Sequence, residues 1–210
     1  MFIRSLLGAA VLALSSVAMA ATVTPSQVGN LGEGTTTATS GFLTVNWTDS
    51  APNIGLLQFD LSAYAGDNVS SATLNLYQLY NSYNGAVFGL YANTAAWTPG
   101  AGYPANGPSF QPTPVAEITV ADWNSGVWRS TDLTTIVNEW THGVLPNYGL
   151  TLQRIDDTNP YLYFTSGLAG TKAPTLTLNV STVPEPTDVA MLLAGVAALG
   201  ALARRRNARA

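Results

Sequence analysis

The aromatic side chains carry the clearest chemistry in this chain. Tyr77, Tyr80, Tyr83 and Tyr91 crowd on and just after one β-patterned segment, and Trp97 and Tyr103 lead into a Pro/Gly-rich stretch. An aromatic ring presents an apolar face that stacks on the apolar face of a sugar ring, with a polar edge left for hydrogen bonding. Tyr80, Tyr83, Trp97 and Tyr103 are therefore the candidate carbohydrate-binding residues. Tyr77 falls opposite Leu74 and Leu76 in the alternation, which places it on the solvent side of its strand. The competing use of all these rings is simple core or rim packing.

Acidic and basic side chains offer less. Asp156, Asp157 and Asn159 put three hard oxygen ligands in one short segment, the donor type that calcium takes. Calcium is the one candidate cofactor. Two carboxylates also suffice for glycoside hydrolysis, but Asp156 and Asp157 precede Asn159 and Pro160, which is turn chemistry. The single histidine, His142, has no serine motif or cysteine to complete a triad. One histidine does not make a zinc site of the usual kind. No catalytic residues are assigned, and the expectation is a protein that is not an enzyme.

The ends of the chain bear on where it works. Arg4 followed by the apolar run 6–13 and the small residues Ala18 and Ala20 makes a signal peptide over 1–20, cleaved by signal peptidase. At the other end, Pro184, Glu185 and Pro186 precede an apolar run over 189–203 and then Arg204, Arg205 and Arg206. Fifteen residues of helix are about 22 Å long, short of the roughly 30 Å hydrocarbon core. The arginines hold their side cytoplasmic. This order resembles the PEP-CTERM sorting signal of bacterial surface proteins over 183–210. The resemblance implies a transmembrane sorting helix recognised by exosortase, a membrane cysteine transpeptidase, which cleaves near the Pro-Glu-Pro motif. A plain C-terminal anchor is the alternative. The expected route is export, a membrane-anchored precursor, and a mature form at the cell surface or outside the cell.

Between the ends, 21–182 is one domain's length. It holds ten acidic residues against three basic ones (Arg129, Arg154 and Lys172), a net charge of about −7 that the whole-chain −4 conceals. Such a domain repels polyanions, so nucleic acid is not an expected partner. An acidic polysaccharide would need local cations or bridging calcium. The absence of cysteine leaves no thiol chemistry and no disulfide, so the core alone must hold the fold.

Period-two patterning dominates. Leu57, Phe59 and Leu61 share one face, as do Ala72, Leu74 and Leu76. Further strands are expected over 86–91, 115–120, 148–154, 161–165 and 175–180, with an early one around Phe42, Val45 and Trp47. Many short strands separated by Gly, Pro and Asn argue for an antiparallel sandwich. Leu133, Ile136, Val137 and Trp140 fall instead on one face of a helix, with N-cap candidates at 130–132 and a C-terminal stop at Gly143. The stretch 98–114, with five prolines and three glycines, is expected to be a long irregular loop.

Three pieces in this order resemble the DNRLRE domain, related to carbohydrate-binding module family ninety-six. They are 55–62 with 69–74 (Phe59-Asp60-Leu61-Ser62, then Ser71-Ala72-Thr73-Leu74), 128–140 with Asp132, Thr134 and Trp140, and 147–152 (Asn147-Tyr148-Gly149-Leu150) with Pro174 and Leu176. The naming hexapeptide is absent, and 21–40 matches poorly. The resemblance implies an all-β, jelly-roll-like antiparallel β-sandwich with one short helix, on a surface protein. Some relatives bind acidic polysaccharide such as alginate. It also implies structural places for Trp128 and Trp140. The expected function is non-catalytic binding of carbohydrate or exopolysaccharide in a biofilm or envelope. A purely structural matrix protein is the main alternative, and a polysaccharide-degrading enzyme the lesser one.

Overall fold

In the computed structural model, the alternation along the sequence becomes a ladder of antiparallel strands. The structure describes residues 18–32, 35–37, 41–47, 52–81, 85–100, 108–120, 126–155, 162–167, 172–181 and 186–207. Residues 18–181 form one compact unit, and the C-terminal tail belongs to a separate one. In the first unit the strands are β1 (Ala18–Val23), β2 (Pro25–Gly32), β3 (Thr35–Thr37), β4 (Phe42–Trp47), β5 (Pro52–Phe59), β6 (Asn68–Asn81), β7 (Ala86–Ala92), β8 (Ala116–Val120), β9 (Val127–Asp132), β10 (Leu150–Arg154), β11 (Leu162–Thr165) and β12 (Thr175–Ser181). A 3-10 turn, Ser62–Tyr64, precedes β6, and helix α1 (Thr134–Thr141) follows β9.

These strands make one curled sheet folded into a sandwich. One face carries β1, β12, β6, β11 and β4; the other carries β2, β5, β10, β7 and β8, with β3 outside β2. The β4–β5 turn, through Asn46↔Asn53 and Trp47↔Pro52, carries the sheet from one face to the other. Strand β6 is the long member. β12 pairs with its first half and β11 with its last residues, while β9 pairs with Thr73 to Gln78. Thr73 and Asn75 thus have ladder partners in both β12 and β9, which puts β9 on the opposite edge of β6.

The inward side chains account for the cohesion. Leu74 and Leu76 of β6, Phe59 of β5, Phe88 and Leu90 of β7, Leu152 of β10, Phe164 of β11 and Leu176 and Leu178 of β12 are sealed in one cluster. Each such side chain contributes about 1.5–3 kcal/mol by leaving water. Leu57, Phe59 and Leu61 are buried together, as the alternation required. Leu56, between Leu57 and Gly55, is buried too: β5 is covered on both faces, and Leu31, Ile54, Leu56 and Trp97 form a second cluster.

Helix α1 lays the four residues named from its periodicity (Leu133, Ile136, Val137 and Trp140) into the main core. Its polar side chains fasten it to the start of β6. The Thr134 hydroxyl donates to the Asp132 carboxylate and accepts the buried Ala72 N–H at 2.9 Å. Asn138 accepts the Val69 N–H at 3.0 Å and donates to the Val69 carbonyl at 2.8 Å. Gly143, at φ 68°, ends the helix in the left-handed conformation.

Several expectations are corrected. The segment 18–37 holds three strands, and 127–132 a fourth, where none was expected. In β2 polar residues alternate weakly, and its pairing with β5 supplies what its own pattern lacks. The tail forms helix α2 (Pro186–Asn207), opened by Pro186 at a position where its missing N–H costs nothing. Among the described residues no helix is long and apolar enough to cross a membrane, so the expected membrane-spanning helix is not borne out. The arginines fall inside the helix and shorten its apolar run. Pro184 and Glu185 lie outside the described residues.

Thr134→Val should remove the acceptor of a buried amide and cost about 1–3 kcal/mol, read as a lower denaturant midpoint at constant slope. The Thr134 hydroxyl, then its N–H, hold the Asp132 carboxyl below its ordinary value of 3.8. An unfolded chain then binds the proton more readily. The stabilisation is complete above that value and is lost as pH falls through the lower, folded pKa. Melting curves of Asp132→Asn and the native chain should therefore converge as the pH is taken well below 3.8.

Candidate functional site

The outer face of the β9–β6–β11–β4 strands gathers aromatic side chains into a row. Trp128 of β9 stands opposite Tyr77 of β6, with ring centroids 5.2 Å apart and edge to face. Tyr80 of β6 stands opposite Tyr163 of β11, 5.9 Å apart, and Phe42 of β4 meets Tyr163 at 6.2 Å. Adjacent strands are about 4.8 Å apart, so four strands extend the row over about 14 Å.

A bulge makes this alignment. Simple alternation from Asn75 and Tyr77 would turn Tyr80 into the core. The register shifts instead: Phe164 opposes Gln78 but Tyr163 opposes Tyr80, so Leu79 is an extra residue on β6. A bulge places two neighbours on one side of the sheet. Leu79 and Tyr80 then join Phe42 and Tyr163 around a shallow apolar hollow of about 390 Å³.

Tyr77 is only 8% exposed, which corrects its expected solvent position. The Lys172 ammonium sits 3.8 Å from the ring centroid and donates to the Tyr77 hydroxyl. Lys172 reaches there from a left-handed backbone, φ 61°. Trp128 by contrast is 49% exposed, against the structural place expected of it. It is one of three residues of the row that sequence reasoning missed, with Tyr163 and Phe42. The available signal was the alternation of Trp128, Ser130 and Asp132 with Val127, Arg129 and Thr131, which marks 127–132 as a strand with its tryptophan outward.

Below the aromatics the same face is polar over several strands, with the Asp132 carboxylate opposite Thr73 at the end of β9. Ser130 donates to the Asn75 carboxamide oxygen at 2.7 Å, and the Asn75 amide donates to Thr177 at 3.2 Å. Asn179 donates to Ser71 at 2.7 Å. Rings that stack and hydroxyls that exchange hydrogen bonds lie side by side, the combination a sugar chain requires.

Of the four sequence candidates, Tyr80 lies in this row, 49% exposed. Trp97 is corrected: it is 3% exposed, packed against Leu31, Ile54 and Leu56. Its indole N–H donates to the Tyr148 carbonyl at 3.0 Å. A Cβ on Gly29 would meet its ring at 3.1 Å, so β2 is closed down on it. A ring held this way has no face for a ligand. Tyr83, Tyr103 and the calcium candidates Asp156, Asp157 and Asn159 lie outside the described residues. Trp140 is buried as expected, and His142 is an exposed helix-end residue whose Nδ1 meets the Asn138 carbonyl at 2.8 Å.

A curled antiparallel sandwich with a solvent-facing aromatic row defines a β-sandwich binding module. The particular family follows from the sequence: residues 24–180 match carbohydrate-binding module family 96, and the chain belongs to that family. No curated protein matches the chain.

The two tryptophans should separate cleanly. Trp97→Ala should cost about 3–5 kcal/mol of stability as a buried large-to-small change. Trp128→Ala should cost about 1 kcal/mol, the scale of an exposed aromatic pair. Equilibrium denaturation of both variants checks the contrast.

Proposed function

We propose that this chain is an exported, non-catalytic, jelly-roll-like module that binds exopolysaccharide across the outer face of β9, β6, β11 and β4. The observation that carries the reading is the aromatic row Trp128, Tyr80, Tyr163 and Phe42 beside the Ser130–Asn75–Thr177 hydroxyl and amide ladder. A neutral or lightly charged sugar chain suits it best, because the domain's net charge repels a polyanion. Lys172 supplies one local cation beside Trp128 and Tyr77 for an occasional acidic residue.

The ends of the chain give the setting. Signal peptidase cuts after Ala20. That leaves Ala21, Thr22 and Val23 paired with Leu178, Thr177 and Leu176 at the sheet edge. In the tail helix Met191, Leu193, Val196 and Leu199 are exposed, as suits a segment that associates with lipid while exosortase acts at Pro184, Glu185 and Pro186. The mature protein then serves in the cell envelope or in a biofilm matrix.

The full chain, titrated with a panel of soluble neutral and uronate oligosaccharides, should bind at least one. Trp128→Ala and Tyr80→Ala should each weaken that binding about tenfold, the equivalent of about 1.4 kcal/mol, with melting little changed. Retention of full affinity in both variants would move the function away from this face. No binding by the folded native chain would favour the structural-matrix reading.

A further inference from the structure

A second recess lies at the end of the sandwich, where β5 runs out, the 3-10 turn begins and α1 stops. Its volume is about 390 Å³, within the roughly 300–1,000 Å³ range of small-ligand sites. Phe59, Leu61 and Trp140 form the floor, and Ser26, Asp60, Ser62 and Asn147 stand at the rim. The aromatic row has no carboxylate among its stacking residues; this recess has one, and no cation among its lining residues.

The rim is held in place by bonds that leave its chemistry available. Asp60 accepts the Ser62 N–H at 2.9 Å. Backbone and then hydroxyl bonding from Ser62 keep its carboxyl below the ordinary value of 3.8, so it is ionised at neutral pH. Ser26 is the extra residue where the β2–β5 register shifts, and its hydroxyl donates to the Gln58 carbonyl at 3.1 Å, leaving its oxygen free to accept. Asn147 donates to the Phe59 carbonyl at 2.8 Å and accepts the Gly149 N–H at 3.1 Å, while its own carbonyl accepts the Gln58 amide at 3.0 Å. Gly149 is obligatory there. At φ 82° a Cβ would stand 2.3 Å from the Leu57 carbonyl oxygen. A fixed carboxylate, hydroxyls and an amide thus surround an apolar floor that includes the Trp140 indole.

We infer that this recess is a second saccharide site, one that receives a single amino-sugar unit and rejects uronates. The ammonium of the sugar meets the Asp60 carboxylate, ring hydroxyls meet Ser26 and Ser62, and the apolar ring face rests on Trp140. A uronate would bring a like charge to Asp60 with no cation to offset it. The two sites would then read different residues of one mixed polysaccharide.

The test is calorimetric titration of the full chain with three hexamers: glucosamine, N-acetylglucosamine and mannuronate. The glucosamine hexamer should bind and the mannuronate hexamer should not compete with it. Asp60→Asn keeps an acceptor for the Ser62 N–H but removes the charge, and should weaken glucosamine hexamer binding at least tenfold while leaving N-acetylglucosamine unchanged. Ala65→Arg fills the exposed side of the recess without removing a hydrogen bond, and should abolish binding in a chain that still melts cooperatively. Trp128→Ala should leave glucosamine binding intact, which separates this site from the aromatic row. Absence of glucosamine binding, its loss in Trp128→Ala, or its survival in a folded Ala65→Arg would each overturn the assignment.

Discussion

The hydrogen-bond ladder of β6 is the constraint on which the rest of the molecule depends. It runs from Asn68 to Asn81 and is shared by β12, β11 and β9. Side chains alternate along a strand, so one register decides two faces at once. Ala72, Leu74 and Leu76 turn into the core because Thr73, Asn75 and Tyr77 turn out. Of its two interruptions, at Ser70 against β12 and at Leu79 against β11, the second is what keeps Tyr80 on the outer face with Tyr77. A continuous ladder would bury Tyr80 and break the row between Trp128 and Phe42. Helix α1 secures the other end of the same strand, since Thr134 and Asn138 bond directly to the backbone of Ala72 and Val69.

Much of the fold was legible because local pattern and global burial agree. Leu57, Phe59 and Leu61 alternate and are buried on one side; Leu133, Ile136, Val137 and Trp140 repeat at helical spacing and lie in the core. The residues 18–37 were not legible, because their strands are polar and glycine-containing and take their order from partners at 52–59 and 176–181. The candidate site was legible only in kind. Aromatic rings do gather on one outer face, Tyr80 among them, but the burial of each ring is decided far along the chain. Trp97 is enclosed by Leu31, Ile54 and Leu56, none near it in sequence. Alternation within 127–132 marks a strand, but that β9 pairs along β6 and so leaves Trp128 at the surface is decided by residues 73–78. The bulge at Leu79 is equally silent, since an inserted residue looks like any other until its partner strand is known.

The distribution of charge shapes what such a module can hold. Stacking and hydroxyl exchange are weakly dependent on salt, whereas a bare electrostatic site between exposed groups is screened within about 10 Å at 0.1 M. On the proposed reading the aromatic row needs little help from charge, and Lys172, held over Tyr77, acts only locally. That suits a domain carrying about seven net negative charges, which has little electrostatic attraction to offer a polyanionic matrix. A flat, preformed face on a rigid sheet also limits the ordering cost of binding, since the rings already pack against one another.

The most direct measurement is the indole N–H spectrum of the full chain as the polysaccharide selected by the screen is added. The chain has five tryptophans, and each contributes one resolvable side-chain N–H. The account predicts that the Trp128 signal moves in a saturable way, while Trp97, bonded to the Tyr148 carbonyl, stays in place. Movement of Trp97 with Trp128 stationary would contradict it, as would saturable binding that leaves all five signals unmoved.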